Sequence, residues 1–187
     1  MNTTIQNITR SFIIVPLVAT TLSMNVFTTT INQRLALSDA TAATSAQESK
    51  LQADRLAKAT KIDAYFAKHK LPLAGYGMTM VLAAEEHDID PYLIPAIAMR
   101  ESTGCKFIIP GTYNCFGWGG GKIKFASYES AIKLMAKHLG GNSADTAHYY
   151  GGKSIKGILE TYNPPSVVAT YASEVMSIMA SIEKVRV

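Results

Sequence analysis

Between Ile62 and Ile182, apolar side chains recur every three to four residues, the spacing that places them along one face of an α-helix. Glycine and proline interrupt this pattern where helices are expected to stop, at Pro72, Gly104, Gly140 and Pro164. The spacing is helical almost everywhere in this part of the chain. The sequence therefore predicts a single all-α domain over residues 61–187.

One helix of this domain has clear signals at both ends. Asp90 is expected to accept hydrogen bonds from the first free amides, and Pro91 suits the first helical position because it has no N–H to leave unpaired. A buried stripe is expected to follow, and the helix is expected to end near Glu101; the stripe is Leu93, Ile94, Ile97 and Ala98. Ser127 is similarly placed to cap a later helix.

Between these two helices lies a segment, residues 105–124, that lacks helical spacing. It contains Pro110, Gly111 and further glycines at positions 117, 119, 120 and 121. Glycine-rich stretches of this kind are typical of turns and loops. We expect an irregular loop or a small hairpin here, mobile and beside a cleft.

The first sixty residues differ from the rest. Met1–Arg10 is followed by a mainly apolar stretch, Phe12–Phe27, which is typical of an export signal. Polar residues and Pro16 dilute this stretch, whereas a membrane-spanning helix needs about 20 mainly apolar residues. Residues 1–31 are therefore interpreted as a cleaved signal peptide or a membrane anchor formed by residues 12–27, with an amphipathic helix of the domain as the alternative.

Residues 32–60 are rich in alanine, serine and threonine and contain few large apolar side chains. Such a composition is typical of a tether outside the hydrophobic core. The chain is accordingly divided into an export segment, a tether and a folded domain. This organisation predicts an exported protein of the cell envelope or the extracellular space.

Length and charge restrict the partners. The 187 residues suit one compact domain with an appendage, which we expect to be a monomer. The net charge is +4, but lysine and arginine are spread singly, and no zinc-finger or basic-zipper spacing occurs. We therefore exclude nucleic acid as a partner. The histidines are scattered and the glycine cluster matches no phosphate-binding or dinucleotide motif, so neither a metal nor a cofactor is predicted.

The chain has two cysteines, Cys105 and Cys115. In an oxidising compartment this pair is a good disulfide candidate, and closing so short a loop would stabilise the fold by about 2–3 kcal/mol in the chain-entropy model. Two unlinked thiols are the alternative. A zinc site is excluded because structural zinc takes four ligands and no histidine lies near either cysteine.

Glu101 is the candidate for acid–base chemistry. It follows an apolar helical stripe, and at a helix C-terminus the macrodipole and the free carbonyl groups favour the protonated form of a carboxyl. A general acid requires that form. We expect Phe116 and Trp118 to wall a cleft around it. A solvated glutamate beside Arg100 is the alternative that position alone leaves open.

Three motifs around Glu101 occur in an order used by one superfamily. The run LIPAIAMRESTG, residues 93–104, resembles the catalytic-helix signature of the lysozyme-like superfamily, in which an apolar helix ends in Glu-Ser. Asn114–Trp118 resembles the Asn-x-Phe-Gly element of bacterial endo-β-N-acetylglucosaminidases. Tyr162–Pro165, followed by Tyr171 and Ala172, resembles the Tyr-Asn and Tyr-(Val or Ala) pair of soluble lytic transglycosylases.

The resemblance implies a lysozyme-like fold and cleavage of β-1,4 glycosidic bonds in peptidoglycan glycan strands. Glu101 would protonate the glycosidic oxygen, and Ser102 would hold that carboxyl or the neighbouring backbone in position. The remaining substrate contacts are implied for Asn114, Phe116, Trp118, Tyr162, Asn163 and Tyr171. For Trp118 and the two tyrosines, burial in the core is the alternative.

The motifs supply no second acid. Glycosidases usually use two carboxylates, but none of the downstream acids lies in a recognisable motif: Glu129, Asp145, Glu160, Glu174 and Glu183. This favours a mechanism with one glutamate, either lytic transglycosylation or hydrolysis assisted by the substrate's N-acetyl group. A non-catalytic wall-binding or scaffold module of the same shape is the alternative function, and a tethered partner-binding domain is a third.

Overall fold

The computed structural model describes the backbone of residues 19–187 and the side chains of Arg34 and residues 41–187. The predicted signal or anchor therefore lies outside the described residues, apart from the backbone from Ala19 onward. In the described part of the chain, no helix is both long enough and apolar enough to cross a membrane. The chain divides into two compact units, and the second, Lys50–Val187, contains all the predicted site residues.

Seven α-helices and no β-strand are found among the described residues, which confirms the all-α prediction. They are α1 (Ala19–Lys68), α2 (Gly77–Glu86), α3 (Leu93–Ser102), α4 (Tyr128–Leu139), α5 (Ala147–Tyr150), α6 (Ile155–Tyr162) and α7 (Tyr171–Glu183).

Residues 50–60 do not form the predicted tether. They are part of α1 and belong to the compact unit, in which Ala59 is only 3% exposed and Arg55 pairs with Glu85 at 2.7 Å. Alanine has the highest helix propensity, and a helix needs only a small side chain where it lies close to its neighbour. The scarcity of large apolar residues therefore did not indicate a segment outside the core.

The interior of α3 is buried on all sides. Leu93, Ile94 and the run Ala96–Ala98 have no exposed surface, as expected of a helix that is apolar all round. The helix begins slightly later than predicted, at Leu93, and the Asp90 carboxylate accepts a hydrogen bond from the Tyr92 amide at 2.8 Å in the preceding turn. Because α3 runs through the core, its C-terminal residues emerge at a fixed place on the surface.

The end of α3 requires glycine at position 104. Gly104 has φ +60°, and a Cβ built there would lie 2.9 Å from the ring of Phe66. Only a residue without a Cβ can therefore make this backbone turn in contact with Phe66. This confirms the predicted helix stop and brings Cys105 back over the helix end.

Helix α4 begins and ends as predicted. Ser127 accepts a hydrogen bond from the Ser130 amide at 3.1 Å, and the Ser130 hydroxyl in turn accepts one from the Ser127 amide at 3.0 Å, which forms a capping box. Gly140 terminates the helix. The residues between α3 and α4 contain neither helix nor strand. Of the two predicted alternatives, this segment is the irregular loop and not the small hairpin.

Candidate active site

Glu101 lies in the last turn of α3 and lines a groove with a volume of about 520 Å³. The rest of the lining comes from Ser102, the last residue of α3, and from the loop between α3 and α4. It comprises the apolar run Phe107–Pro110, the glycines at positions 117, 120 and 121, and the polar residues Ser102 and Asn114. Glu101 is the only acidic residue among the described residues that line this groove.

The two carboxyl oxygens of Glu101 have different surroundings. The Tyr171 hydroxyl donates a hydrogen bond to Oε1 at 2.6 Å, whereas Oε2 has no hydrogen-bond partner among the described residues. Burial, together with the hydrogen bond to Glu101, raises the pKa of Tyr171 far above the usual range of a phenol. Tyr171 therefore keeps its proton and acts as a donor to Oε1, which leaves Oε2 as the oxygen available to another group.

Gly117 lies against that second oxygen. It has φ +64°, and a Cβ built on it would lie 2.9 Å from Glu101 Oε2. Any other residue here would fill the space next to the oxygen and strain the backbone. Glycine at this position thus leaves Oε2 accessible to a molecule in the groove.

An ion pair fixes Tyr171 relative to α3. Arg100, next to Glu101, pairs with Glu174 at 2.5 Å, and its guanidinium carbon lies 5.6 Å from the centroid of the Tyr171 ring. Hydrogen bonds from Thr170 and Arg100 lower the pKa of Glu174, which keeps this carboxylate ionised. Arg100 therefore pairs with Glu174 on α7 and not with the neighbouring Glu101. The hydrogen bond to the Glu101 carboxyl comes from Tyr171.

Ser102 joins the loop to the helix end. Its side chain is buried, donates to the Cys115 carbonyl at 2.7 Å and accepts from the Cys105 amide at 2.9 Å. Cys105 and Cys115 form a disulfide with their Cα atoms 4.6 Å apart. These links hold the loop against the C-terminal end of α3.

Asn114 organises the glycine-rich part of the loop. Its amide nitrogen donates to the carbonyls of Trp118 at 2.8 Å and Ile123 at 3.1 Å, and its amide oxygen accepts from the Trp118 N–H at 3.1 Å. The side chain is buried, so its three hydrogen bonds are shielded from water. Asn114 thus shapes the groove through the backbone.

Phe116 and Trp118 do not wall the cleft as we expected. Phe116 is 1% exposed in the core, and its carbonyl oxygen accepts a hydrogen bond from the Tyr162 hydroxyl. The Trp118 indole is half-buried and packs between the rings of His138, at 5.2 Å, and Tyr162, at 5.8 Å. Burying such large apolar surfaces is worth more to the fold than exposing them, so neither side chain is among the groove-lining residues.

Tyr162 and Tyr171 stack in parallel, with centroids 6.0 Å apart, and place Glu101 at the end of a row of rings that begins at His138. Burial raises the pKa of Tyr162 well above that of a free phenol. Tyr162 contacts the Phe116 carbonyl, so its hydroxyl supports the backbone next to Gly117.

Asn163 lies apart from this groove. It lines a separate cavity of about 320 Å³ with Lys156, Ala172 and Met176, and its Oδ1 atom is buried with no hydrogen-bond partner among the described residues. The structure therefore brings Glu101, Ser102 and Asn114 together in the lining of one groove and places Asn163 elsewhere. Tyr171 is buried and does not line the groove, but it is hydrogen-bonded to Glu101.

Two features of the groove were not predicted from the sequence. One is the apolar lining Phe107–Pro110, and the other is the close approach of Gly117 to Glu101 Oε2. A signal for the first exists, since Phe107, Ile108 and Ile109 form an apolar run inside a loop, where polar residues are usual. The second depends on a contact between distant segments that no local pattern encodes.

In the described part of the chain, no three histidine, cysteine or acidic side chains converge as metal ligands. Comparison with known proteins adds no relative: no protein-family model, curated protein sequence or solved structure matches this chain.

Proposed function

We propose that the protein cleaves β-1,4 glycosidic bonds in peptidoglycan glycan strands, with Glu101 as the general acid. The observation that carries this proposal is the asymmetry of the Glu101 carboxyl. Tyr171 holds one oxygen at 2.6 Å, and the other faces a groove beside a glycine. An acid catalyst needs such an arrangement, in which the proton-bearing oxygen is held still and remains accessible.

The groove has properties suited to a sugar chain. Its volume of about 520 Å³ lies within the range of ordinary ligand sites. The apolar run Phe107–Pro110 offers surface for the faces of pyranose rings, and the glycine backbone allows a chain to approach closely. The motif resemblance supplies the identity of the sugar chain and the expectation that the helical domain is lysozyme-like.

The lining favours chemistry with one carboxylate. Two-carboxylate glycosidases place their acids about 5–5.5 Å apart for retention or roughly 6.5–9.5 Å apart for inversion. The described lining residues include no acid other than Glu101. The nucleophile is therefore expected to come from the substrate, as its 6-hydroxyl or its N-acetyl oxygen.

In the 6-hydroxyl version, Glu101 Oε2 gives its proton to the glycosidic oxygen as the bond from that oxygen to the anomeric carbon breaks. The 6-hydroxyl oxygen of the same sugar then bonds to the anomeric carbon. The proton released by that hydroxyl returns to Glu101, which acts first as acid and then as base. The products are a 1,6-anhydro sugar end and a free hydroxyl on the leaving sugar, and no water is consumed.

Zymography on embedded peptidoglycan tests the acid. The wild-type protein is expected to clear the gel and Glu101→Gln is not, because the amide has no proton to give at neutral pH. Glu129→Gln is the matched control, since it makes the same change at an exposed helix-start residue paired only with Lys133. Equal clearing by wild type and Glu101→Gln would reject Glu101 as the acid.

Mass spectrometry of the released fragments tests the nucleophile. Transglycosylation yields fragments one water lighter than those of hydrolysis, because no water enters the product. Fragments with ordinary reducing ends and no anhydro sugar would exclude the 6-hydroxyl version and favour assistance by the N-acetyl group.

A further inference from the structure

The loop that lines the Glu101 groove carries an excess of positive charge. Between Glu101 and Glu129 the sequence contains Lys106, Lys122 and Lys124 but no aspartate or glutamate. All three lysines are exposed, and none forms an ion pair among the described residues. This charge therefore has no partner on the described surface and is available to a ligand.

These lysines adjoin the groove lining at two places. Lys106 precedes Phe107 and Lys122 follows Gly121, so these two residues adjoin the apolar and the glycine-rich parts of the lining along the chain, and Lys124 lies two residues beyond Lys122. Together with Phe107, we call these three lysines the cationic rim.

Phe107 is the most exposed aromatic side chain of the described residues, at 68%. The Lys106 ammonium lies 5.4 Å from the centroid of its ring, and with this much exposed surface the ring has a face left for a ligand. The Phe107 amide donates to the Ser102 carbonyl at 3.0 Å, and the neighbouring Cys105 is held by the disulfide. An exposed ring on so well-anchored a backbone suits a contact surface.

We propose that the cationic rim binds the peptide stems of the glycan strand, with Phe107 against a sugar ring and the lysines against the free carboxylates of the stems. This inference rests on the proposed function and names its substrate class as strands that still carry peptides. Apart from Glu101, the groove lining is uncharged and fits the sugar backbone, and charge outside the groove is where stems projecting from the strand would meet the protein. A concave, grooved surface favours a polymer chain over a flat lipid bilayer.

The cationic rim is tested by binding to insoluble cell-wall sacculi. The parent protein in this experiment is Glu101→Gln, which is not expected to cleave the sacculi during the measurement. Replacing Lys106, Lys122 and Lys124 together by glutamine is expected to weaken binding to intact sacculi about tenfold, as three exposed charge contacts would. The control replaces Lys50, Lys137 and Lys184, which are also exposed, by glutamine and is expected to change binding less than about twofold.

A substrate without stems provides the reciprocal test. On chitin, an insoluble β-1,4-linked N-acetylglucosamine polymer that has neither peptides nor carboxylates, the Glu101→Gln parent protein and the rim variant are expected to bind equally, and added salt should weaken only the parent's binding to intact sacculi. Phe107→Ala is expected to weaken binding about fivefold to both sacculi and chitin, and the exposed control Tyr149→Ala is not.

Two results would overturn the inference: equal binding of parent and rim variant to intact sacculi, or rim-dependent binding to phosphatidylglycerol vesicles in place of sacculi. The readout is separate from catalysis. Clearing of peptidoglycan by the wild type without rim-dependent binding would reject only the rim, and rim-dependent binding without clearing would reject only the enzymatic proposal.

Discussion

Gly117 contributes to the candidate site through the side chain that it lacks. The absence of a Cβ leaves room beside Glu101 Oε2, while the Tyr171 hydroxyl holds Oε1. These two contacts therefore distinguish the oxygens, because Oε2 is the one left available to a molecule in the groove. A substitution at Gly117 adds both a contact with Glu101 and backbone strain. A substitution at another glycine of similar φ, with no atoms near an added Cβ, adds the strain alone, so the two variants separate the effects.

Gly117→Ala is expected to lower the rate of peptidoglycan cleavage at least tenfold, equivalent to about 1.4 kcal/mol in the activation free energy. The added methyl group would collide with the Glu101 carboxyl or displace it. Gly152→Ala is the control, since Gly152 has φ +70° and no atom within 4 Å of an added Cβ. Initial rates normalised to the folded fraction should fall only for Gly117→Ala, and equal losses in both variants would show that backbone strain alone is responsible.

At the scale of elements, the loop between α3 and α4 supplies most of the groove lining while having no regular structure of its own. It is held by Ser102, by Asn114 and by the Cys105–Cys115 disulfide. A loop without the regular backbone hydrogen bonds of a helix or sheet depends on such side-chain and covalent links to keep its shape. The disulfide is the link that can be removed chemically.

Replacing both cysteines by serine is expected to lower the free energy of unfolding by about 2–3 kcal/mol, as expected for a closed loop of this length. Chemical denaturation measures the loss. Reductant should shift the wild-type transition towards that of the double variant and leave the variant unchanged. A wild-type transition that is insensitive to full reduction would contradict a stabilising role for the disulfide.

At the scale of the whole molecule, the compact unit begins within α1 at Lys50, eleven residues before the predicted boundary at Lys61. Residues 50–60 contribute the buried Ala59 and the Arg55 pair with Glu85, in which both side chains are about one-third exposed. The two boundaries therefore predict different stabilities for shortened chains.

A chain that starts at Lys50 is expected to unfold at the same temperature as the domain in the full-length protein. A chain that starts at Lys61 should lose about 1–2 kcal/mol from the missing burial and ion pair, which corresponds to a decrease of several degrees in Tm. Calorimetry of both chains distinguishes the boundaries. Identical Tm values for the two chains would instead support a domain boundary at Lys61.

Alkaline unfolding is a second property of the whole domain. Burial raises the pKa of tyrosines throughout the fold: Tyr65, Tyr92, Tyr128, Tyr150, Tyr162 and Tyr171. Above pH 10 the unfolded chain releases phenolic protons that the folded chain retains, so the free energy of unfolding is expected to fall as the pH rises further. The stabilisation is fully present below pH 10.

Tyrosinate absorbance during an alkaline titration measures this effect. The native protein should show part of its tyrosines ionising only as it unfolds, and in denaturant all nine should ionise together near pH 10. Ionisation of all tyrosines near pH 10 without loss of helical circular dichroism would contradict the burial.

Four features could be predicted from spacing and local backbone chemistry: the helical class, the stop at Gly104, the cap at Ser127 and the placement of Glu101 at a helix end. Three others could not: Tyr171 and Gly117 meet the two oxygens of Glu101, Phe116 and Trp118 pack inside, and Asn163 lies in another cavity. These outcomes depend on contacts between segments far apart in the chain, where burial of apolar area and available space select one arrangement. No local pattern encodes that selection.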